Sequence, residues 1–169
     1  MTRIEIETIL HRDRAGLLER VAAMSADDLA RGATASAHDA ASMWSALDHL
    51  VHLAAIERNF NRMIRTHLAG ESQAITIMRS ETGERRSMEQ IMAAVNRMNE
   101  DEVLRHRGKS LAEVLAIGEA ARAETLALMA ELSDEQLAQK VQDAQWADGT
   151  VGGIISDNGM QGRMHWTAV

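Results

Sequence analysis

Not one proline interrupts this 169-residue chain. Proline breaks helix interiors by removing an amide donor and clashing with the preceding turn, so its absence leaves long helices unopposed. Tyrosine is missing too, and aromatic residues make up only 2% of the chain. Ala, Leu, Met, Glu and Arg dominate, all good helix formers, while the residues that favour strands are scarce. The expected fold class is therefore all-α. The eleven methionines are expected to replace aromatic core filler, because a flexible thioether fits irregular gaps, with a Met-rich recognition surface as the alternative.

Apolar spacing divides the chain into helices. Leu10, Leu17, Val21 and Met24 form one stripe and predict a first helix from about Thr8 to Met24. Ser25 and Asp28 mark a restart, and Gly32 through Asp39 reads as a small polar loop. A long second helix is expected from about Ser42 to Leu68. It is apolar on most of its circumference, the pattern of a central helix, and Gly70 closes it. Glu71 to Thr82 lacks periodicity and reads as a crossover.

Three capping boxes follow: Ser87 with Gln90, Ser110 with Glu113, and Ser133 with Gln136. They predict a helix over 87–105, a second from Ser110 after the break at Gly108, and a short final turn. Leu111, Val114, Leu115, Ala121, Leu128, Met129 and Leu132 share a face of the second of these. Gln142 to Gly149 is expected to be a loop, with Thr150 capping a last helix. No internal repeat or low-complexity tract divides residues 1–169, so a single domain is expected.

Several function classes are disfavoured at this level. Without cysteine there is neither a disulfide framework nor a thiol ligand or nucleophile. A net charge of -7 argues against nucleic acid as a partner, since phosphate binding needs a basic patch. The opening Met-Thr-Arg-Ile-Glu-Ile-Glu lacks the apolar core of a signal peptide, and no apolar run approaches a membrane span. A soluble cytoplasmic protein with no membrane partner is expected.

The chemistry-bearing stretch is Met43-Trp44-Ser45-Ala46-Leu47-Asp48-His49-Leu50-Val51-His52-Leu53. His49 and His52 lie three apart, so both imidazoles share one helix face. Each is either a hydrogen-bonded core histidine or a metal ligand. On the last helix, Val151, Ile154, Ile155, Asn158, Gln161 and His165 share a stripe that turns from apolar to polar. Buried polar groups need partners, which makes the imidazoles of the second helix the natural counterpart. Four glycines (152, 153, 159 and 162) each disfavour that helix by roughly 1 kcal/mol, so it is either held by tertiary contacts or partly frayed.

The run MWSALDHLVHLAAIE, then LAEVLAIGEAARAETLALMAELSDEQL, then DGTVGGIISDNGMQGRMHW resembles the DinB-like superfamily over nearly the whole chain. That group includes the metal-binding domains of mycothiol-dependent maleylpyruvate isomerases and the YfiT-like thiol transferases. The resemblance implies a four-helix bundle with a long crossover connection, built to hold metal ligands on facing helices. It further implies a histidine ligand eight residues after a tryptophan, a spacing that Trp44 and His52 reproduce. The other two ligands, implied as histidines four apart on the last helix, fall here at Gln161 and His165.

Gln161 thus stands where an imidazole is expected, and a neutral carbonyl is a weaker ligand for zinc or nickel. Three readings stay open. Metal is held by His52, His165 and Gln161 with His49 moving in; or it is held weakly; or the constellation is a hydrogen-bonded polar core. Asp157 and Asn158 are candidates for supporting hydrogen bonds. Glu57 and Arg58 read as interhelical or surface charges. Arg79, Arg85 and Arg86, like Arg105, His106 and Arg107, read as solvated groups or as a grip for an anionic substrate. His11, His38 and His67 read as surface residues.

Two functions follow from the resemblance. The first is an enzyme in which a divalent ion, zinc or nickel, activates a low-molecular-weight thiol for transfer to, or isomerisation of, a small-molecule substrate. The second is a metal-free DinB-like protein that binds a small ligand or acts in stress response. A homodimer is the assembly that the resemblance implies, and no catalytic residue is assigned.

Overall fold

Each long helix starts where a hydroxyl takes over an otherwise orphaned amide. The computed structural model describes residues 1–70, 80, 82–141 and 148–157. Thr2 and Glu5 form a capping box for α1 (Arg3–Ala23), and Ser25 caps the short α2 (Ala26–Ala30). Ser45 with Asp48 opens α3 (Ala46–Leu68), and Ser87 with Gln90 opens α4 (Met88–His106). Ser110 with Glu113 opens α5 (Leu111–Glu131), and Ser133 with Gln136 opens α6 (Asp134–Leu137). A further helical segment, α7, covers residues 151–157 of the described chain. Such reciprocal caps satisfy two donors at once, and losing one costs about 1 kcal/mol.

The all-α expectation holds, with two shifts of boundary. The first helix begins at Arg3, not near Thr8, because the Thr2–Glu5 box starts it and Ile6 already faces the core. The second long helix begins at Ala46, not Ser42. Met43–Trp44 forms β2 instead, paired antiparallel with β1 (Thr34–Ala35), so that Thr34 faces Trp44 and Ala35 faces Met43. Gly70 and Gly108 follow their helices with φ of 68° and 87°, the left-handed conformation that a side chain resists. Most of the Glu71–Thr82 crossover and residues 142–147 of the expected loop lie outside the described residues.

α3 is the central element, packing on α2, α4 and α5. Two apolar clusters lie at opposite ends of it. One joins Ile6 and Leu10 of α1, Ile64 of α3, Leu128 and Met129 of α5, and Val151, Ile154 and Ile155 of α7. The other joins Leu17 and Val21 of α1, Leu29 of α2, Leu50 and Val51 of α3, and Val114 of α5. α1 therefore runs antiparallel to α3 and α5. Arg3 agrees with that direction by donating to the carbonyls of Met129 and Leu132 at the end of α5. Burying one such Leu, Ile or Val side chain contributes roughly 1.5–3 kcal/mol. No helix among the described residues is long and apolar enough to cross a membrane.

Between the clusters lies a buried polar layer. Glu57 of α3 accepts from Arg122 Nε at 2.7 Å and from Thr125 Oγ1 at 2.6 Å, both on α5. Arg122 Nη1 also donates to the Leu10 carbonyl of α1 at 2.8 Å, and Asn61 Nδ2 donates to Thr125 Oγ1 at 2.9 Å. A recess of about 30 Å³ beside the pair, bordered by Asp13, Arg14 and Gly118, has room for a water molecule or two.

The glycines that burden α7 on paper answer to close approach. Asp148 Oδ1 accepts from Thr150 N at 2.9 Å, and Thr150 Oγ1 accepts from Gly153 N at 3.0 Å, which caps the helix. A methyl group on Gly153 would fall on the Asp148 carboxylate, and one on Gly152 would press on Ile6 and the Leu137 carbonyl. Gly153→Ala, helpful in an ordinary helix, is therefore expected to destabilise the protein by about 1–3 kcal/mol in a denaturant melt. Arg122→Ala is expected to cost about 3–5 kcal/mol, because it leaves Glu57 buried without its counter-charge. The pair Glu57→Leu with Arg122→Met is expected to cost less than that single change.

Candidate functional site

The local chain path puts the candidate imidazoles beside an indole. β2 delivers Trp44 to the start of α3, and Ser45 turns the chain into the helix with its amide and hydroxyl on Asp48 Oδ2, at 2.9 and 3.0 Å. One turn later come His49 and His52, 7% and 5% exposed. Both rings converge on Trp44. The His49 ring meets the indole edge-on, with centroids 5.4 Å apart and planes at 71°; His52 is tilted at 60° with centroids 5.1 Å apart. Aromatic contacts of this geometry contribute about 0.5–1.5 kcal/mol beyond burial.

The indole is held from its far side by a carboxylate. Trp44 Nε1 donates to Glu100 Oε2 at 2.8 Å, and Ser42 Oγ donates to Glu100 Oε1 at 2.6 Å. Glu100 lies on α4, 3% exposed. Burial by itself pushes its carboxyl group up, but hydrogen bonds from Ser36, Ser42 and Trp44 and the nearby Arg107 charge outweigh burial, holding it below its ordinary 4.5. Arg107 closes the network, donating to Ser42 Oγ at 3.2 Å and standing 3.6 Å from Asp48 Oδ2.

The other candidates fall as follows. Asp157 is half-buried at the end of the described α7, whereas Asn158, Gln161 and His165 lie outside the described residues. Among the described residues, no three His, Asp or Glu side chains are grouped to hold a metal ion. His52 and His49 therefore supply two imidazoles, and a complete ligand set would need donors from elsewhere in the chain. Glu57 is interhelical, in the polar layer already described. Arg58 approaches Glu124 at 3.7 Å. Arg79 lies outside the described residues, Arg85 is exposed, and Arg86 borders a shallow surface groove with His38 and Arg97. Arg105 pairs with Glu102, and His106 Nε2 lies 3.1 Å from another oxygen of Glu102. His11 and His38 are exposed, and His67 is half-buried.

Glu100 is the site residue that sequence reasoning missed. Its partners Ser42 and Trp44 are 58 and 56 positions away, a separation that leaves no periodic mark.

A family model described as the DinB superfamily matches residues 9–156. The chain belongs to the DinB superfamily. The match takes in α3 with His49 and His52, and it ends before Gln161 and His165. No curated protein and no solved structure matches the chain. Within this DinB-superfamily fold, the buried imidazole pair lies at the junction of β2, α3 and α4.

The lowered Glu100 carboxyl has a signed consequence for stability. A carboxyl group that binds its proton less tightly when folded stabilises the fold fully above its ordinary titration range. That contribution is lost as pH falls through the folded value. Glu100→Gln is accordingly expected to lower stability near pH 7 by about 2 kcal/mol. It is also expected to flatten the decline of stability on acidification below pH 4.5 relative to the parent protein. Urea melts at a series of pH values measure both effects.

Proposed function

We propose that this DinB-superfamily protein is a divalent-metal-dependent transferase or isomerase acting on a small molecule with a low-molecular-weight thiol as cosubstrate. His52 and His165 are the proposed ligands, with Gln161 completing or flanking the set and His49 in support. The observation that carries this reading is His52 itself. A 5%-exposed imidazole in contact with an indole is ordered and shielded from water, as a ligand ring needs to be. A cation bound there would lower the pKa of a coordinated thiol and hold the thiolate, the nucleophilic form.

The chain's own residues would supply the rest. It has no cysteine, so the reacting sulfur belongs to the cosubstrate. Trp44 would wall one side of the site and exclude water from it, while α3 would keep the His52 ring on the inner face.

Metal content tests the reading directly. Tag-free protein incubated with zinc or nickel is expected to retain about one ion per chain, and His52→Ala to retain none. Saturating metal at 100 times Kd would raise stability by about 2.7 kcal/mol, visible as a higher melting midpoint. Gln161→His is expected to tighten metal binding. A parent protein that retains no metal would overturn the enzyme reading and leave the metal-free, ligand-binding one.

A further inference from the structure

We infer that Glu100 is a positioning residue for the imidazole pair, acting through Trp44 and by the reach of its side chain. As a statement about a metal site, this rests on the function proposed above. As a statement about side-chain geometry, it stands on the observed contacts alone.

Trp44 touches both His49 and His52, at 5.4 and 5.1 Å between ring centroids. An indole has one hydrogen-bond donor, and here that donor ends on Glu100 Oε2 at 2.8 Å. The other carboxylate oxygen is engaged by Ser42 Oγ at 2.6 Å, two residues before Trp44 and just ahead of β2. One carboxylate thus holds the chain at two points, Ser42 just ahead of β2 and the Trp44 indole on it, and so limits both the position of the backbone and the torsions of the indole. Fixing the ring at its polar tip limits where the rest of it can sit, and the rest of it packs beside both imidazoles. α4 contributes to the site through this contact, although neither imidazole is on it. Charge and reach are separable, because glutamine keeps the length and an acceptor oxygen, whereas aspartate keeps the charge one methylene short.

The test uses the full-length protein without added metal. The ring-proton chemical shifts of His49 and His52 are read by NMR, and Trp44→Leu defines how much of each shift comes from the indole ring current. Glu100→Asp is expected to lose at least half of that ring-current shift, and Glu100→Gln to keep most of it. Both should still melt cooperatively. Full retention in a folded Glu100→Asp would overturn the proposal, as would equal loss in both variants, which would make charge or general packing the cause. Should Glu100→Asp fail to fold, Ser42→Ala, which frees one grip point, is expected to reduce the shift, and its full retention would count against the proposal.

A parallel titration with cobalt(II) separates this inference from the metal reading. Affinity is expected to fall about tenfold in Glu100→Asp and to stay within about threefold in Glu100→Gln. If the parent protein binds no cobalt, the metal reading fails while the ring-current comparison still decides the role of Glu100.

Discussion

The Glu57–Arg122 pair sets the register on which the rest of the structure depends. It ties α3 to α5 through the carboxylate and α1 to both through the Leu10 carbonyl. Apolar side chains alone allow helices to slide, since one Leu fits much the same hole as the next. A buried charge tolerates no such freedom, because a shift of one turn would strand it without its partner in a poorly solvating interior. The layer therefore separates the two apolar clusters and holds them at opposite ends of α3. It also fixes which residues of α3 face inward at its start, where His49 and His52 stand.

That start is assembled from three directions. α3 carries the imidazoles, β2 carries the indole, and α4 carries the carboxylate that grips the indole. Polar groups buried in such a place are tolerated because they satisfy one another. Glu100 takes hydrogen bonds from Ser36, Ser42 and Trp44, and Arg107 balances its charge alongside Asp48. The arrangement is a connected network of groups with one shared geometry, the form in which buried polarity rigidifies a site.

How much of this could be read from the chain depended on distance along it. Ser87 with Gln90, Ser110 with Glu113 and Ser133 with Gln136 announced their helices correctly, because a capping box needs only residues three apart. The Thr2–Glu5 box is equally local, but the stripe of Leu10, Leu17, Val21 and Met24 predicts a later start than the one Ile6 marks. The start of α3 was placed too early because Met43 and Trp44 continue its apolar pattern. Ser45 with Asp48, another box, marks the true boundary. His49 and His52 were legible as a pair on one face, and the family resemblance singled out His52. Arg122 and Glu100 were not legible, because each matters only through a partner that folding brings from more than fifty residues away.

The grip of Glu100 on Ser42 and Trp44 has a consequence for how the site is held together. The imidazoles and the indole come from one short stretch of chain, residues 44–52, opened by the Ser45–Asp48 cap. The Trp44 contact to Glu100 needs closure of a loop of more than fifty residues, and long closures are entropically slow. Docking of α4 supplies that contact, and with it the fixed position of the indole beside the imidazoles. A chain in which α4 is displaced would keep its histidines on α3 while the indole beside them is no longer held.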